Sequence, residues 1–313
     1  MRLPLTSRRG SELILLWGIA EDTPLRAVLE ELWKLPIEIR FLDQRELIPE
    51  SFRFVFEHAV TGELITNGDV IHLDDIEAVY LRPYDFRLLP QLHGLDGTSE
   101  LWRKVAYFHD SMSLWCDTTP AFVVNRPSAM ASNSSKPYQL EIIRQIGFSV
   151  PDTILTTDPD FARQFCKKHG QVIYKSISGV RSIVSRLQES QQERLADVIW
   201  CPTQFQQYIG GIDHRVHVVG SDVFSCRLIC ADDDYRYSPW TSVSPYMLPL
   251  PLQEKCIALS EKLQLPFTGI DLRQTPEGEW FCFEANPCPG FSYFEQASGD
   301  TISAAVARML VSA

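Results

Sequence analysis

A mixed α/β fold is predicted, and three stretches predict it. Residues 12–20 form a continuous apolar run, followed by Thr23-Pro24, an amphipathic segment over 25–34 and an alternating segment over 37–42. A short apolar run bounded by turn residues suits a buried strand, and strand, helix, strand is the unit of a sheet covered by helices. Farther on, two helical stretches, 136–147 and 160–169, precede a strand over 171–176. Near the end, 269–273 and 280–284 alternate on either side of Glu277-Gly278 and read as a hairpin.

Composition bounds the function. The chain has 313 residues, of which 45% are hydrophobic, enough for one large or two to three modest domains. A net charge of −11 argues against a general nucleic-acid surface, while leaving room for a local basic pocket. None of the eight cysteines are spaced as C-x-x-C, so neither a zinc ribbon nor a thioredoxin-like motif is indicated. Arg8-Arg9 precedes only a strand-length apolar run, and no apolar stretch reaches membrane-spanning length. The expectation is a reduced, cytoplasmic protein with neither nucleic acid nor membrane as partner.

Taken in order, Thr23 is the expected cap of the first helix, with Pro24 at its first position. Strands are expected over 52–57, 63–73 and 78–81, the last ending at Arg82-Pro83. A helix over 99–116 places Leu101, Val105, Phe108, Met112 and Trp115 on one side. Asn125-Arg126-Pro127 opens a new section. Lys136 starts a helix that Gly147 stops, Asp158-Pro159 starts the next, and the strand that follows carries Lys175, with 180–185 as its partner.

The hairpin carries the chemistry. A turn centred between Glu277 and Gly278 sets position 271 opposite 284 and position 273 opposite 282. Opposed residues share a face, so Asp271 and Glu284 point the same way, with Asn286 diagonal to Asp271. Like carboxylates side by side repel, so a positive group belongs between them. Two carboxylates and an amide suit Mg²⁺, with Mn²⁺ as the alternative, and Phe281, Phe283, Ile270 and Leu272 are expected to bury the other face. A solvated hairpin with its charges in water is the competing reading.

Glu284-Ala285-Asn286-Pro287, followed by Pro289-Gly290-Phe291, resembles the E-x-N-x-x-P-G-hydrophobic run of ATP-grasp ligases. The nearest likeness is to RimK-type amino-acid ligases and microviridin-type peptide-crosslinking ligases. The order lysine, helix, Gly-x-x-Val-Pro, helix, strand with lysine is similar to their small subdomain. The resemblance covers roughly residues 125–313. It implies an ATP-grasp fold in three parts: an N-terminal α/β domain over 1–124, a small lid subdomain over 125–202 and a C-terminal antiparallel-sheet subdomain with the metal site over 203–313.

The resemblance also implies roles. Lys136 and Lys175 would reach ATP, although an edge-strand lysine in water is as ordinary a reading of Lys175. Ser176 to Ser182, with Arg181, stands where the family covers the phosphates; a plain turn fits as well. In 203–209, Gln206 takes the first hinge position, and the backbone of Gln207 and Ile209 would face adenine. Asp213 would hold the ribose. Arg215 and Arg236 would surround the γ-phosphate and substrate carboxylate, and Arg273 would balance the metal carboxylates or touch the transferred phosphate. Glu295 and Gly299-Asp300 resemble the stretch ahead of the family's last helix.

The activity so implied is an ATP- and Mg²⁺-dependent carboxylate–amine ligase working through an acyl phosphate. Its partners would be a small-molecule or peptide carboxylate and a nucleophile, with a homo-oligomer left open. Microviridin-type ester or amide crosslinking, a kinase, and a non-catalytic ATP-binding module are the alternatives. Arg82, Tyr84, Asp85 and Arg87 form a mixed-charge patch at a strand end, where the first domain would choose the substrate.

Overall fold

The computed structural model describes residues 13–46, 51–56, 60–66, 68–176, 185–230 and 241–312. The first part contains β1 (Leu13–Gly18), α1 (Thr23–Leu32), β2 (Glu38–Asp43), β3 (Ser51–Phe56), β4 (Val60–Thr66), β5 (Asp69–His72), β6 (Ile76–Arg82), α2 (Glu100–Thr118) and β7 (Phe122–Val124). Strands β2-β1-β6-β7, in that order, form a parallel sheet, and β3, β4 and β5 form a separate antiparallel one. Every residue of β1 is buried, as a strand covered on both faces must be. The expected strand over 63–73 is split at Gly68, whose φ of +77° favours glycine. On α2 the buried stripe begins at Val105; Leu101, expected on it, is 36% exposed.

The cap of α1 is Asp22 rather than Thr23: its Oδ1 accepts from the Leu25 N–H at 2.8 Å. The same carboxylate receives Arg82, at 2.8 Å from Nε and 3.2 Å from Nη2, while Arg82 Nη1 donates to the Pro289 carbonyl at 3.0 Å. Arg82 is therefore buried in a junction, not displayed in the charged patch that the sequence places it in. Arg87, by contrast, is exposed and paired with Asp85 at 2.7 Å. Arg82→Ala strands part of a buried pair and is expected to cost about 3 kcal/mol in urea unfolding, whereas Arg87→Ala leaves the midpoint unchanged.

The middle of the chain supplies α3 (Pro127–Met130), α4 (Lys136–Gln145), β8 (Thr153–Thr156), α5 (Pro159–His169), β9 (Val172–Ser176), β10 (Ser185–Arg186) and β11 (Thr203–Gln207). The order β10-β9-β11-β8 makes a small antiparallel sheet, closed by Phe165, Leu195, Val198 and Phe205. Most of the expected strand over 180–185 lies outside the described residues. The last part holds β12 (Ile212–Val219), β13 (Asp222–Cys230), β14 (Thr241–Pro245), α6 (Leu250–Lys262), β15 (Phe267–Gln274), β16 (Trp280–Asn286), α7 (Ser292–Ser298) and α8 (Ile302–Val311). Its five strands are antiparallel in the order β14-β13-β12-β15-β16.

Two packing choices position the site. Leu140, Ile142 and Ile143 of α4 share a core with Val216, Ile270, Leu272 and Ala285, so α4 packs on the five-stranded sheet and not on the small one. Helix α8 packs with α1: Val306 and Leu310 join Leu25, Val28 and Leu32 in a core that also takes in Val219, Phe267 and Phe291. The parallel sheet and the five-stranded sheet thus share apolar packing. Among the described residues, no helix is long and apolar enough to cross a membrane.

Candidate functional site

A cavity of about 960 Å³, counted with its open mouth, gathers most of the residues singled out in the sequence. Lys136 enters from α4, Lys175 from β9, and Gln206 and Gln207 from β11, with Ile209 just beyond; Asp213, Asp271, Arg273, Phe283 and Glu284 come from the five-stranded sheet. Arg215 reaches the site through Asp271, and Asn286 lies two cross-strand pairs beyond Glu284, opposite Gly269. Arg236 and Arg181 lie outside the described residues.

The hairpin pairs Asp271 with Glu284, as the turn arithmetic requires, but by a different route. Near the turn Leu272 faces Cys282 and Arg273 faces Phe281, so the expected pairing of Arg273 with Cys282 does not form. The ladder shifts between Asp271 and Leu272. The turn centres on Glu277, with Gly278 N–H on the Thr275 carbonyl at 3.0 Å and φ +88° at Gly278. Phe283 is then the extra residue of a β-bulge, which re-aims side chains locally. It lines the cavity beside Glu284, while Cys282 and Ala285, not Phe281 and Phe283, join Ile270 and Leu272 in the core.

Each carboxylate meets a cation. Lys136 Nζ lies 2.8 Å from Glu284 and 2.7 Å from Asn133 Oδ1. Arg215 Nη1 lies 2.7 Å from Asp271. The guanidinium of Arg215 is 5% exposed and passes over Gly269, where a Cβ would stand 2.2 Å from Nη2 and 2.7 Å from the Pro289 Cβ. Only glycine leaves that space. His217 accepts from Arg215 Nε at 3.4 Å, and burial together with the Arg215 charge holds its pKa well below the usual histidine value.

Arg273 ties Asp213 to the segment that follows β11. It grips Asp213 through Nε and Nη2 at 2.7 and 2.8 Å and donates from Nη1 to the Ile209 carbonyl at 2.8 Å. The Gln207 N–H is spent on the Asp152 carbonyl at 2.8 Å, and Gln206 Nε2 donates to Thr153 Oγ1 at 3.0 Å. Lys175 stands in register with Gln204 of β11.

The donor set fits a hard divalent cation. Glu284 and Asp271 are neighbouring carboxylates already occupied by cations, and Asn286 Oδ1, which accepts from Cys288 N–H at 2.9 Å, keeps a second lone pair. Among the described residues there is no cluster of three or more His, Cys, Asp and Glu that could hold a metal ion.

Sequence reasoning missed two buried amides that hold these strands. Gln139, one helical turn after Lys136, donates to the Ala285 carbonyl at 2.7 Å and accepts from the Ala285 N–H at 3.1 Å. Asn125 donates to the Phe267 and Pro287 carbonyls, both at 2.6 Å, and accepts from Phe267 N–H at 3.2 Å. The spacing of Gln139 from Lys136 was a usable signal, since residues three apart share a helix face. For Asn125 the sequence offers none.

His214 closes the cavity wall, packed against Tyr246 and Trp280 at ring distances of 4.5 and 4.7 Å. Both its nitrogens lack a hydrogen-bond partner among the described residues, and burial pushes its pKa down to about 4. A histidine depressed in the fold adds stability that is complete above its unfolded pKa near 6.5 and is lost as pH falls towards 4. Urea midpoints are expected to drop between pH 7 and pH 4.5, and to drop less in His214→Leu.

A family model described as a RimK-like ATP-grasp domain matches residues 131–310, more than half of the chain. Beta-citrylglutamate synthase B of Danio rerio is 29% identical over 205 residues, 61% of this chain and 50% of that protein. The chain spans about half the length of the curated relatives it matches. Among solved structures, a Chryseobacterium gregarium RiPP-associated ATP-grasp ligase, in complex with ADP and a leader and core peptide, superposes with a TM-score of 0.84. It is 23% identical, over 96% of this chain and 97% of that one. The ATP-grasp ligase PsnB, complexed with a minimal precursor, Mg and ADP, superposes with a TM-score of 0.80 at 22% identity, over 99% of each chain.

Proposed function

The chain belongs to the RimK-like ATP-grasp family, and from that premise we propose that it is an ATP-dependent ligase joining the carboxylate of an amino acid or peptide to an amine. One observation carries the proposal: Lys136, Lys175, Asp271 and Glu284 converge on one cavity beside the hinge formed by Gln206, Gln207 and Ile209. A non-catalytic module has no need of paired carboxylates in register beside two lysines. The relative complexed with a leader and core peptide matches nearly the whole chain, including residues before the family match, which favours a peptide acceptor as the second reading. Crosslinking through an ester or amide is the form it would take.

With the Gln207 N–H and the Ile209 carbonyl already engaged, the Gln207 carbonyl and Ile209 N–H offer one acceptor and one donor to an adenine edge. Asp213, held by Arg273, would accept from ribose hydroxyls. Asp271, Glu284 and Asn286 would hold Mg²⁺, or Mn²⁺ in its place, which neutralises phosphate charge and orients the phosphates when bound. Lys136, Lys175 and Arg215 would spread the remaining charge, and Arg236 would meet the γ-phosphate or the substrate carboxylate. A carboxylate oxygen attacks the γ-phosphorus, the bond to the β–γ bridging oxygen breaks, and ADP leaves. The amine nitrogen then attacks the acyl carbon, loses a proton and displaces phosphate. Positioning and charge stabilisation suffice for such a transfer.

Residues 1–124 would select the acceptor, 125–202 would cover the nucleotide, and 203–313 would hold the metal, with α4 working alongside the last. A cytoplasmic setting suits the free thiols of Cys116, Cys166, Cys226, Cys256 and Cys282. The test is ADP release with Mg²⁺, ATP and panels of amino acids and peptides, with hydroxylamine present. Hydroxamate formation is the expected result. ADP release without hydroxamate points to a kinase, and no turnover with any acceptor despite nucleotide binding points to a binding module.

A further inference from the structure

We infer that Gln139 is a positioning residue that sets the Glu284 carboxylate and Asn286 amide for a divalent cation, by serving as a substitute strand along the open edge of β16. The inference rests on the ligase reading above and adds a residue to it.

Strand β16 is the edge of the five-stranded sheet, so among the described residues the backbone groups on its outer side have no neighbouring strand. Unpaired backbone groups must find partners when buried. Ala285 finds both in one side chain: its carbonyl accepts from Gln139 Nε2 at 2.7 Å and its N–H donates to Gln139 Oε1 at 3.1 Å. A primary amide reproduces the donor and acceptor of a peptide unit. Gln139 is 1% exposed and Ala285 is fully buried, so water cannot take over either bond. Nearer the turn, Cys282 N–H is met by the Ser149 carbonyl at 2.9 Å, so the edge is held at two points.

Ala285 separates Glu284 from Asn286. Fixing its peptide groups fixes the direction in which both flanking side chains leave the strand, since successive side chains point to opposite faces of a regular strand and the bulge at Phe283 disturbs that alternation just upstream. The same helix carries Lys136, whose ammonium reaches Glu284 at 2.8 Å. Helix α4 therefore touches this segment twice, by charge at Glu284 and by backbone pairing at Ala285. Because α4 shares its core with the five-stranded sheet, Lys136, Glu284 and Asn286 form one body, while Lys175 stands on the small sheet. Motion of the small sheet would bring Lys175 to a set that Gln139 keeps in place.

The experiment measures Mn²⁺ binding by electron paramagnetic resonance in the presence of saturating ADP, for the full chain and for Gln139→Leu and Gln139→Glu, alongside thermal melts without metal. Gln139→Leu removes both bonds and is expected to weaken Mn²⁺ binding by about 10-fold or more, and to raise by a similar factor the Mg²⁺ concentration needed for half-maximal turnover. Maximal turnover at saturating Mg²⁺ should fall far less. Gln139→Glu keeps the acceptor for Ala285 N–H but sets a carboxylate oxygen against the Ala285 carbonyl; burial favours the protonated form, which restores the donor. Its Mn²⁺ affinity, relative to the unaltered chain at the same pH, should recover as pH falls from 8 to 5.5. Should Gln139→Leu fail to fold, this pH-dependent recovery carries the test alone. Mn²⁺ affinity unchanged in a folded variant, with only the melting temperature lowered, overturns the inference. An unaltered chain that holds no Mn²⁺ with ADP overturns the ligase reading and this inference with it.

Discussion

Replacing Glu284 by glutamine is expected to remove metal-dependent nucleotide binding and to lower turnover by about 10²–10³-fold, while the chain stays folded. The substitution keeps the shape of the side chain and removes its charge. Lys136, now 2.8 Å from the carboxylate, loses an ionic partner but keeps Asn133 at 2.7 Å. The pair is partly exposed, with side-chain exposures of 30% and 22%, so its loss costs little stability. What disappears is one of two neighbouring carboxylates that a hard cation requires. Calorimetric titration with an ATP analogue, with and without Mg²⁺, separates the two effects. A variant that binds as tightly with Mg²⁺ as the unaltered chain would remove Glu284 from the metal set.

Gly269→Ala is expected to be damaging at a residue that makes no side-chain contact of its own. The new methyl would meet the Arg215 guanidinium at 2.2 Å and the Pro289 ring at 2.7 Å. Arg215 has no room to yield, because it is buried and tied to Asp271. Overpacking of this kind costs about 1–3 kcal/mol. Displacing the guanidinium by about 1 Å is expected to lower turnover by about 10²-fold, since misplacement on that scale suffices. Urea unfolding and steady-state kinetics on the same preparation give both numbers. A variant with full activity would show that Arg215 works elsewhere or not at all.

How much of this was legible in the sequence differs from residue to residue. The opposition of Asp271 and Glu284 followed from counting outward from the turn, yet two departures offset each other: the turn centres on Glu277, and the bulge at Phe283 restores the count. A bulge leaves no mark in a run of alternating residues, so the pairing of Arg273 with Phe281 could not be foreseen. Lys136 and Lys175 were legible because they sit at fixed places in an ordered set of motifs, and they do meet in one cavity. Arg82 was misjudged because the sequence shows which charges are neighbours along the chain but not how deeply each is buried. Its partners, Asp22 and Pro289, come from either end of the protein. Gln139 and Asn125 were missed for a related reason. Their partners are backbone atoms 146 and 142 residues away, and a backbone atom has no identity for a sequence pattern to find. The cap at Asp22 rather than Thr23 shows the ordinary uncertainty of a helix start, resolved by which side chain reaches the Leu25 N–H.

The proposed function requires the cavity between the small sheet and the five-stranded sheet to hold a nucleotide through a divalent cation. Calorimetric titration of the unaltered chain with a non-hydrolysable ATP analogue, first with Mg²⁺ and then with the metal chelated, tests it most directly. One nucleotide is expected to bind per chain, at least about 10-fold more tightly when Mg²⁺ is present. Binding that is the same with and without Mg²⁺, or no binding in either case, would contradict it.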